Sequence, residues 1–487
     1  MTENTGKGMS FYKATAIQFT SKYLNVFLQL LLTAILARLL SPEQYGVMAG
    51  ITTFTSLFSI LADMGLGPAI IQYKKLTKVD YGGLFVFSII LAVILSALFA
   101  VLSWPISWFF RDTSYRPLCL LATISIFFSS VNMVPNGLLL KDKQFLVIGI
   151  RLIVSTIIGG AVAIVLAMHG FGTAALIWNL NVTAIIIFVW NFVSTRKLIS
   201  FRGIHMLASL HAVIRYSAYQ AGFSLINYFS RNTDHLIIGR FFGSAPLGLY
   251  DKAYKLTTYP IQFVPGILGT VLQPYLSYYQ NNKEKLFFYQ MLLVRFLALS
   301  GSWMMVVFVL CSPDIVAIMY GPRWVSCVPL FTVLSCSIAF QMVMNVTGGI
   351  LQSAGRTDLL FRQGLWATII MLVLVFFGAS FRNLALLTAC VAVAFFFQMF
   401  TVAYYTAYKA FDHSMLDFLR PVIRIICVAA LAGTPLLVCR YALHWYFQNP
   451  VVNLLVYGLT YTILFLGVFC MTGDMQRMYA LLRKRTK

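Results

Sequence analysis

Lys252, Lys255, Tyr259 and Gln262 follow one another at steps of 3, 4 and 3 residues, and Gly266, Gly269 and Gln273 continue the series at 4, 3 and 4. Upstream, Gln220, Ser224, Asn227, Arg231 and Asp234 are spaced by 4, 3, 4 and 3. Steps of three and four keep side chains on one face of an α-helix. The residues around them are apolar enough to lie in lipid, where an ionised side chain costs about 2.5–3.5 kcal/mol on insertion scales. A face carrying three cations and one carboxylate at that depth has to look onto water, a polar ligand or another polar face. The chemistry it offers is binding. Ammonium and guanidinium groups attract an anion more strongly in a low-dielectric cavity than in water, and amides and phenols supply hydrogen bonds beside them.

The same pattern recurs near the start of the chain. Gln18, Lys22, Asn25, Gln29 and Thr33 are spaced by 4, 3, 4 and 4, and Thr52, Ser56, Ser59 and Asp63 by 4, 3 and 4. Each position also has a plain structural reading. Lys252 could run its alkyl stem to the headgroups, and Arg231 and Asp234 could pair along one helix. Lys22 and Asp63 could form a static bridge, and the amides could serve as interhelix contacts worth roughly 0.6 kcal/mol each. Four polar stripes on corresponding helices favour a pathway over four separate coincidences.

The elements that position these residues follow from composition. Of 487 residues, 60% are hydrophobic and 10% charged, against about 25% charged in a soluble domain. Taking about 20 apolar residues per span, the chain reads as an all-α polytopic membrane protein with fourteen spans. Spans 7, 8 and 10 fall at 213–238, 247–275 and 325–352. One alternating set of loops and helix ends, counted with both terminal stretches, holds 25 Lys/Arg against seven in the other set, which predicts both termini in the cytoplasm and a multi-pass inner-membrane protein. The polar Met1–Lys13 and a long first apolar run containing Lys22 and Gln29 do not read as a cleavable signal. An ungapped shift of 202 residues gives seven identities in 31 positions, among them Gln18/Gln220, Asn25/Asn227, Arg38/Arg240 and Gly46/Gly248. The repeat predicts an N-terminal lobe of six spans (1–193), a cytoplasmic inter-lobe loop (194–212) and a C-terminal lobe of six spans (213–406). Two added spans (407–471) and a basic tail (472–487) complete the chain.

Other classes fit poorly. The net charge of +22 is spread through loops rather than along one basic face, so nucleic acid is not an expected partner. The eight cysteines include no CxxC, the six histidines make no HxxxH, and no Walker A sequence or GxSxG elbow occurs, so neither catalysis nor a cofactor is expected.

Three runs carry a resemblance: R-L-L-S-P-E-Q-Y-G (Arg38–Gly46), D-H-L-I-I-G-R-F-F-G (Asp234–Gly243) and L-G-L-Y-D-K-A-Y (Leu247–Tyr254). With the prolines of span 8, they resemble the polysaccharide transport branch of the MOP exporter superfamily, and most of all its Wzx-type flippases of the colanic acid or lipopolysaccharide kind. The resemblance implies a MATE/MurJ-like fold. It also implies that a polyprenyl-diphosphate-linked oligosaccharide is moved from the cytoplasmic to the periplasmic leaflet by alternating access, for exopolysaccharide or lipopolysaccharide synthesis. The family's cationic cavity maps onto Lys22, Arg231, Lys252 and Lys255, with Asn25, Gln29, Asn227, Asp234, Tyr259 and Gln262 completing the expected binding set. Asp251-Lys252 departs from the family's usual Ser or Arg in the third motif. An H⁺ or Na⁺ gradient is a candidate driving force, and a polysaccharide polymerase a candidate protein partner. A multidrug or cation antiporter on the same scaffold would call for more membrane carboxylates than Asp63, Asp234 and Asp251. A peptidoglycan-precursor flippase is the other transport alternative, and a non-transporting assembly scaffold leaves the stripes without a purpose.

Overall fold

A computed structural model describes residues 11–63, 67, 70, 73, 76–201, 225, 228–229, 231–280 and 282–472, and no strand occurs among them. Much of the expected inter-lobe loop, the start of span 7 with Asn227, and all but Thr472 of the expected tail lie outside the described residues. The helices up to residue 195 are α1 (Phe11–Leu39), α2 (Pro42–Asp63), α3 (Lys78–Phe110), α4 (Tyr115–Val131), α5 (Met133–Lys141), α6 (Phe145–Met168) and α7 (Thr173–Thr195). Residues 231–242 form α8. Then follow α9 (Ser244–Ser277), α10 (Lys283–Leu310), α11 (Ser312–Met319), α12 (Val328–Ser335) and α13 (Ile338–Ser353). The last four are α14 (Thr357–Ser380), α15 (Leu384–Ala403), α16 (Met415–Leu437) and α17 (Pro450–Met471).

Local chemistry sets several of these boundaries. Thr77 and Asp80 form a capping box at the start of α3, as do Ser414 and Asp417 at α16; Asn282, Asn383 and Asn449 cap α10, α15 and α17. Each satisfies amides that would otherwise be left without a partner at a helix start.

Among the described residues, eleven helices are long and apolar enough to cross a membrane, or twelve if one bent pair counts as a single span. Of the fourteen expected spans, the two not among them are span 7, which begins outside the described residues, and span 8. The latter is α9, a 34-residue helix whose polar stripe keeps it below the hydropathy of its neighbours. Span 10 requires a correction. It is not straight: Pro322–Ser335 and Ile338–Ser353 meet at 55°. The break falls at Cys336–Ser337, where the Ser337 hydroxyl donates to the Leu334 carbonyl at 2.6 Å and accepts from the Gln341 amide at 2.8 Å. Polar side chains of this kind let a helix break at membrane depth without stranded backbone groups.

The chain divides into two compact units, Met1–Phe229 with Gly243–Gly248, and Ser230–Phe242 with Leu249–Lys487. In the first, α3 packs on α4, α6 on α7 and α1 on α6. Side-chain amides bind these apolar surfaces together: Thr156 donates to Asn25 at 2.7 Å, and Asn191 donates to Asn132 at 2.7 Å. Asn181 accepts from the Ser125 amide at 3.0 Å and donates to the Leu121 carbonyl at 2.9 Å. The first unit also holds a close backbone contact. A Cβ on Gly46 would lie 1.6 Å from the Ser244 carbonyl oxygen, and one on Gly248 would lie 1.9 Å from that of Pro42. Pro42/Ser244 and Gly46/Gly248 are related by the same 202-residue shift seen in the sequence. The contact is therefore reciprocal, and only glycine fits either side of it.

In the second unit, α10 runs through a core shared with α13, α15, α16 and α17, where Leu297, Met342, Met399, Phe418 and Tyr461 are buried together. The two helices expected as an addition thus share the core of their unit. Beside that core lies a buried ion pair, Arg440 Nη2 to Asp314 Oδ2 at 2.5 Å. Asn453 donates to the other Asp314 oxygen at 3.0 Å, and the Arg440 guanidinium lies 5.1 Å from the Tyr457 ring centre.

Two outcomes are expected in thermal unfolding of the detergent-solubilised protein. Gly46→Ala or Gly248→Ala forces the two helix starts apart and destabilises by about 1–3 kcal/mol; an unchanged unfolding midpoint would mean the contact does not hold. Arg440→Met strands Asp314 and costs about 3–5 kcal/mol, and adding Asp314→Leu restores most of the loss. Equal stability of the single and double variants would contradict the buried pair.

Candidate functional site

The site begins at the turn between α8 and α9. Gly243 has φ +91°, a left-handed conformation with nothing within 4 Å of an added Cβ. It ends α8, and α9 starts at the next residue. The chain folds back so sharply that side chains near the middle of α8 meet those of the second and third turns of α9.

There, within the second unit, two carboxylates flank one imidazole. His235 Nδ1 lies 3.0 Å from Asp234 Oδ1, and His235 Nε2 lies 3.4 Å from Asp251 Oδ1. Asp234 also accepts the His235 backbone amide at 2.8 Å and, on its other oxygen, the Tyr250 hydroxyl at 2.6 Å. Asp251 Oδ2 meets Lys255 Nζ at 2.8 Å, one helical turn along α9. Tyr254 stacks on Tyr250 and sets its ring edge-on to His235. Asp234, His235, Asp251 and Lys252 are all buried, whereas the Lys255 side chain is 49% exposed.

The corner that precedes α12 roofs this cluster. Gly321, at φ +85°, opens the 3₁₀ turn Pro322–Cys327. From it Cys327 donates its thiol to the Leu249 carbonyl at 3.3 Å, beside the fully buried Trp324. Tyr320 donates to the Lys252 carbonyl at 3.3 Å, and the Lys252 ammonium lies 5.7 Å from the Tyr320 ring centre. The two carboxylates are matched here by the imidazole between them and by the Lys255 ammonium. Burying charge without such partners would cost several kcal/mol per ion.

The expected binding residues do not gather into one set. Asp234, Lys252 and Lys255 come together in the network, but Lys252 does not line an open face: it is 3% exposed, because the Tyr320–Cys327 corner covers it. Arg231, Lys255 and Gln262 are exposed, with Tyr259 partly buried. Lys22 and Gln29 are exposed on α1. Asn25 departs from expectation: it is buried and accepts the Thr156 hydroxyl, so it joins α1 to α6. Asn227 lies outside the described residues. The carboxylate of Asp234 is held by His235 and Tyr250 rather than by Arg231, and no Lys22–Asp63 ion pair occurs among the described residues. Asp63 instead accepts the Gly67 amide at 3.4 Å.

Sequence reasoning missed His235, Tyr250 and the bridging part of Asp251. A sequence signal existed, since Asp234-His235 and Tyr250-Asp251 sit in the two motifs flanking a glycine turn. Among the described residues no group of three or more His, Cys, Asp or Glu is arranged to hold a metal ion, and all eight cysteines are free.

A family model described as polysaccharide biosynthesis protein matches residues 35–329. The lipopolysaccharide biosynthesis protein WzxC of Escherichia coli (strain K12) is 26% identical over 365 residues, covering 71% of this chain and 70% of that protein. The teichuronic acid biosynthesis protein TuaB of Bacillus subtilis (strain 168) is 25% identical over 338 residues, covering 69% of each. Among solved structures, the lipid II flippase MurJ in an inward closed conformation superposes with a TM-score of 0.75 at 12% identity, covering 94% of this chain and 99% of that one. The MurJ likeness establishes an all-helical MurJ-like fold.

The network makes its members unequal. Asp251→Asn leaves buried Lys252 and the imidazole without their shared anion and is expected to cost about 3–5 kcal/mol. Lys255→Met removes a half-exposed partner and is expected to cost about 1 kcal/mol or less. Thermal unfolding of both variants in detergent checks the order, and equal losses would contradict it.

Proposed function

The chain belongs to the polysaccharide biosynthesis protein family, and on that premise we propose that it is a flippase for a polyprenyl-diphosphate-linked oligosaccharide. It carries the head group from the cytoplasmic to the periplasmic leaflet of the bacterial inner membrane by alternating access, for exopolysaccharide or lipopolysaccharide assembly. The reading includes cytoplasmic termini, supported by 25 Lys/Arg in one alternating set of segments, the terminal stretches included, against seven in the other. A polysaccharide polymerase acting next on the translocated unit is the protein partner that fits.

One observation carries the proposal. The Lys255 ammonium is half exposed yet anchored on a buried carboxylate, and Arg231 is exposed on the neighbouring helix. Cations held at that depth suit a diphosphate, because a hydrogen bond to a charged group contributes about 1.5–3 kcal/mol. Gln29 lends support from the first unit. It is exposed near the middle of the 21-residue span Phe19–Leu39, where a water-lined face suits an amide better than lipid does. The amide of Gln262 and the phenol of Tyr259 are placed to meet sugar hydroxyls, while the prenyl chain stays in the bilayer.

Arg231→Ala and Lys255→Ala, each expressed in a strain lacking the native gene, are expected to lower surface polysaccharide at least about tenfold. The proteins should reach the membrane in normal amount, and lipid-linked oligosaccharide should accumulate. Surface polymer at the wild-type level from both variants would contradict the function.

A further inference from the structure

We propose that Arg151 is a phosphate-binding residue of the first unit, taking the phosphate of a lipid head group that enters near the cytoplasmic end of α6. The inference rests on the flippase reading above and adds to it a contact outside the α8–α9 site. Arg151 is 8% exposed and lies six residues past the start of α6, about 9 Å along its axis. α6 follows the Lys141–Lys143 segment, one of the cation-rich set. A guanidinium has five N–H donors. Here Nη2 donates to Asn136 Oδ1 at 2.7 Å, and Nη1 is buried without a hydrogen-bond partner. Among the described residues no carboxylate pairs with it; Asp63 accepts the Gly67 amide instead.

That arrangement is incomplete in a definite way. Arg440, also buried, has Asp314 against it, whereas Arg151 has only a neutral amide. A buried charge without a counter-ion is strongly unfavourable, and one neutral acceptor offsets only part of the loss. The missing group is an anion, and the planar fork of N–H donors selects one that presents two oxygens side by side. At the cytoplasmic end of a span, the oxyanion at hand in the bilayer is a lipid phosphate. Its source is either the diphosphate of the substrate or the phosphodiester of an anionic phospholipid.

Neighbouring contacts supply the approach. α1 packs on α6: a Cβ on Gly149 would lie 2.2 Å from Ser21 Oγ, and Asn25 accepts the Thr156 hydroxyl at 2.7 Å. Lys22 and Arg151 therefore sit on adjoining helices at one level, between these two contacts. Lys22 is exposed. A phosphate drawn to its ammonium meets the guanidinium once that group exchanges Asn136 for phosphate oxygens, the stronger acceptors because they are charged. A purely structural tie between α6 and α5 through Asn136 leaves the charge and Nη1 unaccounted for.

The test uses the full-length protein in detergent, with undecaprenyl diphosphate and dioleoylphosphatidylglycerol as separate probes. Affinity is read by calorimetric titration and stability by thermal unfolding. Arg151→Gln keeps an amide to meet Asn136 and removes the charge. Without probe it is expected to unfold at or above the wild-type midpoint, since an unmatched buried ion has gone. It is expected to bind at least about tenfold more weakly the probe whose phosphate Arg151 holds, with Arg151→Lys falling between. A loss for undecaprenyl diphosphate alone assigns the site to the substrate, and a loss that includes phosphatidylglycerol assigns it to lipid phosphate at large. Unchanged affinity for both probes, or a midpoint well below wild type in the probe-free variant, overturns the proposal and leaves the flippase reading intact. Failure of the wild type to bind undecaprenyl diphosphate overturns the flippase reading beneath it, and phosphatidylglycerol alone then decides on Arg151.

Discussion

Everything around the α8–α9 turn answers to the expense of holding ions away from water. Asp234, Asp251 and Lys252 are buried in a protein whose surroundings are mostly hydrocarbon. Ions in such a place persist only when each is matched and hydrogen-bonded. The matching set comes from two short stretches, Asp234-His235 and Tyr250 to Lys255, brought face to face because Gly243 adopts a backbone conformation that other residues rarely enter. The cover comes from the corner opened by Gly321 ahead of the broken span, which seats Tyr320 over Lys252.

The second unit holds two buried ion clusters, and their difference separates architecture from binding. Asp314 and Arg440 are both nearly inaccessible and are closed off by Asn453 and Tyr457. Nothing from solution reaches them, and they tie α17 and the turn Val438–Ala442 that follows α16 to α11. The cluster at His235 is closed on one side only. Lys255 leaves it half exposed, with Arg231 and Gln262 also exposed along the neighbouring turns. A cation that is anchored and still reachable is what recognition of an anion demands.

Much of this fold was legible in the sequence, for identifiable reasons. Hydropathy located the first six spans because their runs are nearly free of charge, whereas the caps at Thr77, Asn282 and Ser414 start their helices upstream of the apolar runs and escaped it. The 202-residue repeat was legible through residues such as Gly46 and Gly248, which the structure places against each other's helix starts. The bend at Cys336–Ser337 was not, because an averaged hydropathy is blind to direction. In the site, the spacing of Lys252, Lys255 and Gln262 correctly put them along one helix, but it could not distinguish the buried edge of that stripe from the exposed one. Asn25 misled for the same reason: an amide facing Thr156 and an amide facing a ligand look alike in sequence. His235 was overlooked because its second carboxylate lies 16 residues away across a turn, beyond any helical spacing rule.

The central claim is that cations at this network move a diphosphate-linked glycan across the bilayer. The most direct measurement is the sidedness of lipid-linked oligosaccharide in membrane vesicles, read with a membrane-impermeant periodate reagent. Wild-type vesicles should expose the glycan on the periplasmic face, while vesicles carrying Arg231→Ala together with Lys255→Ala should retain it on the cytoplasmic face. Equal exposure of the glycan in both preparations would contradict the account.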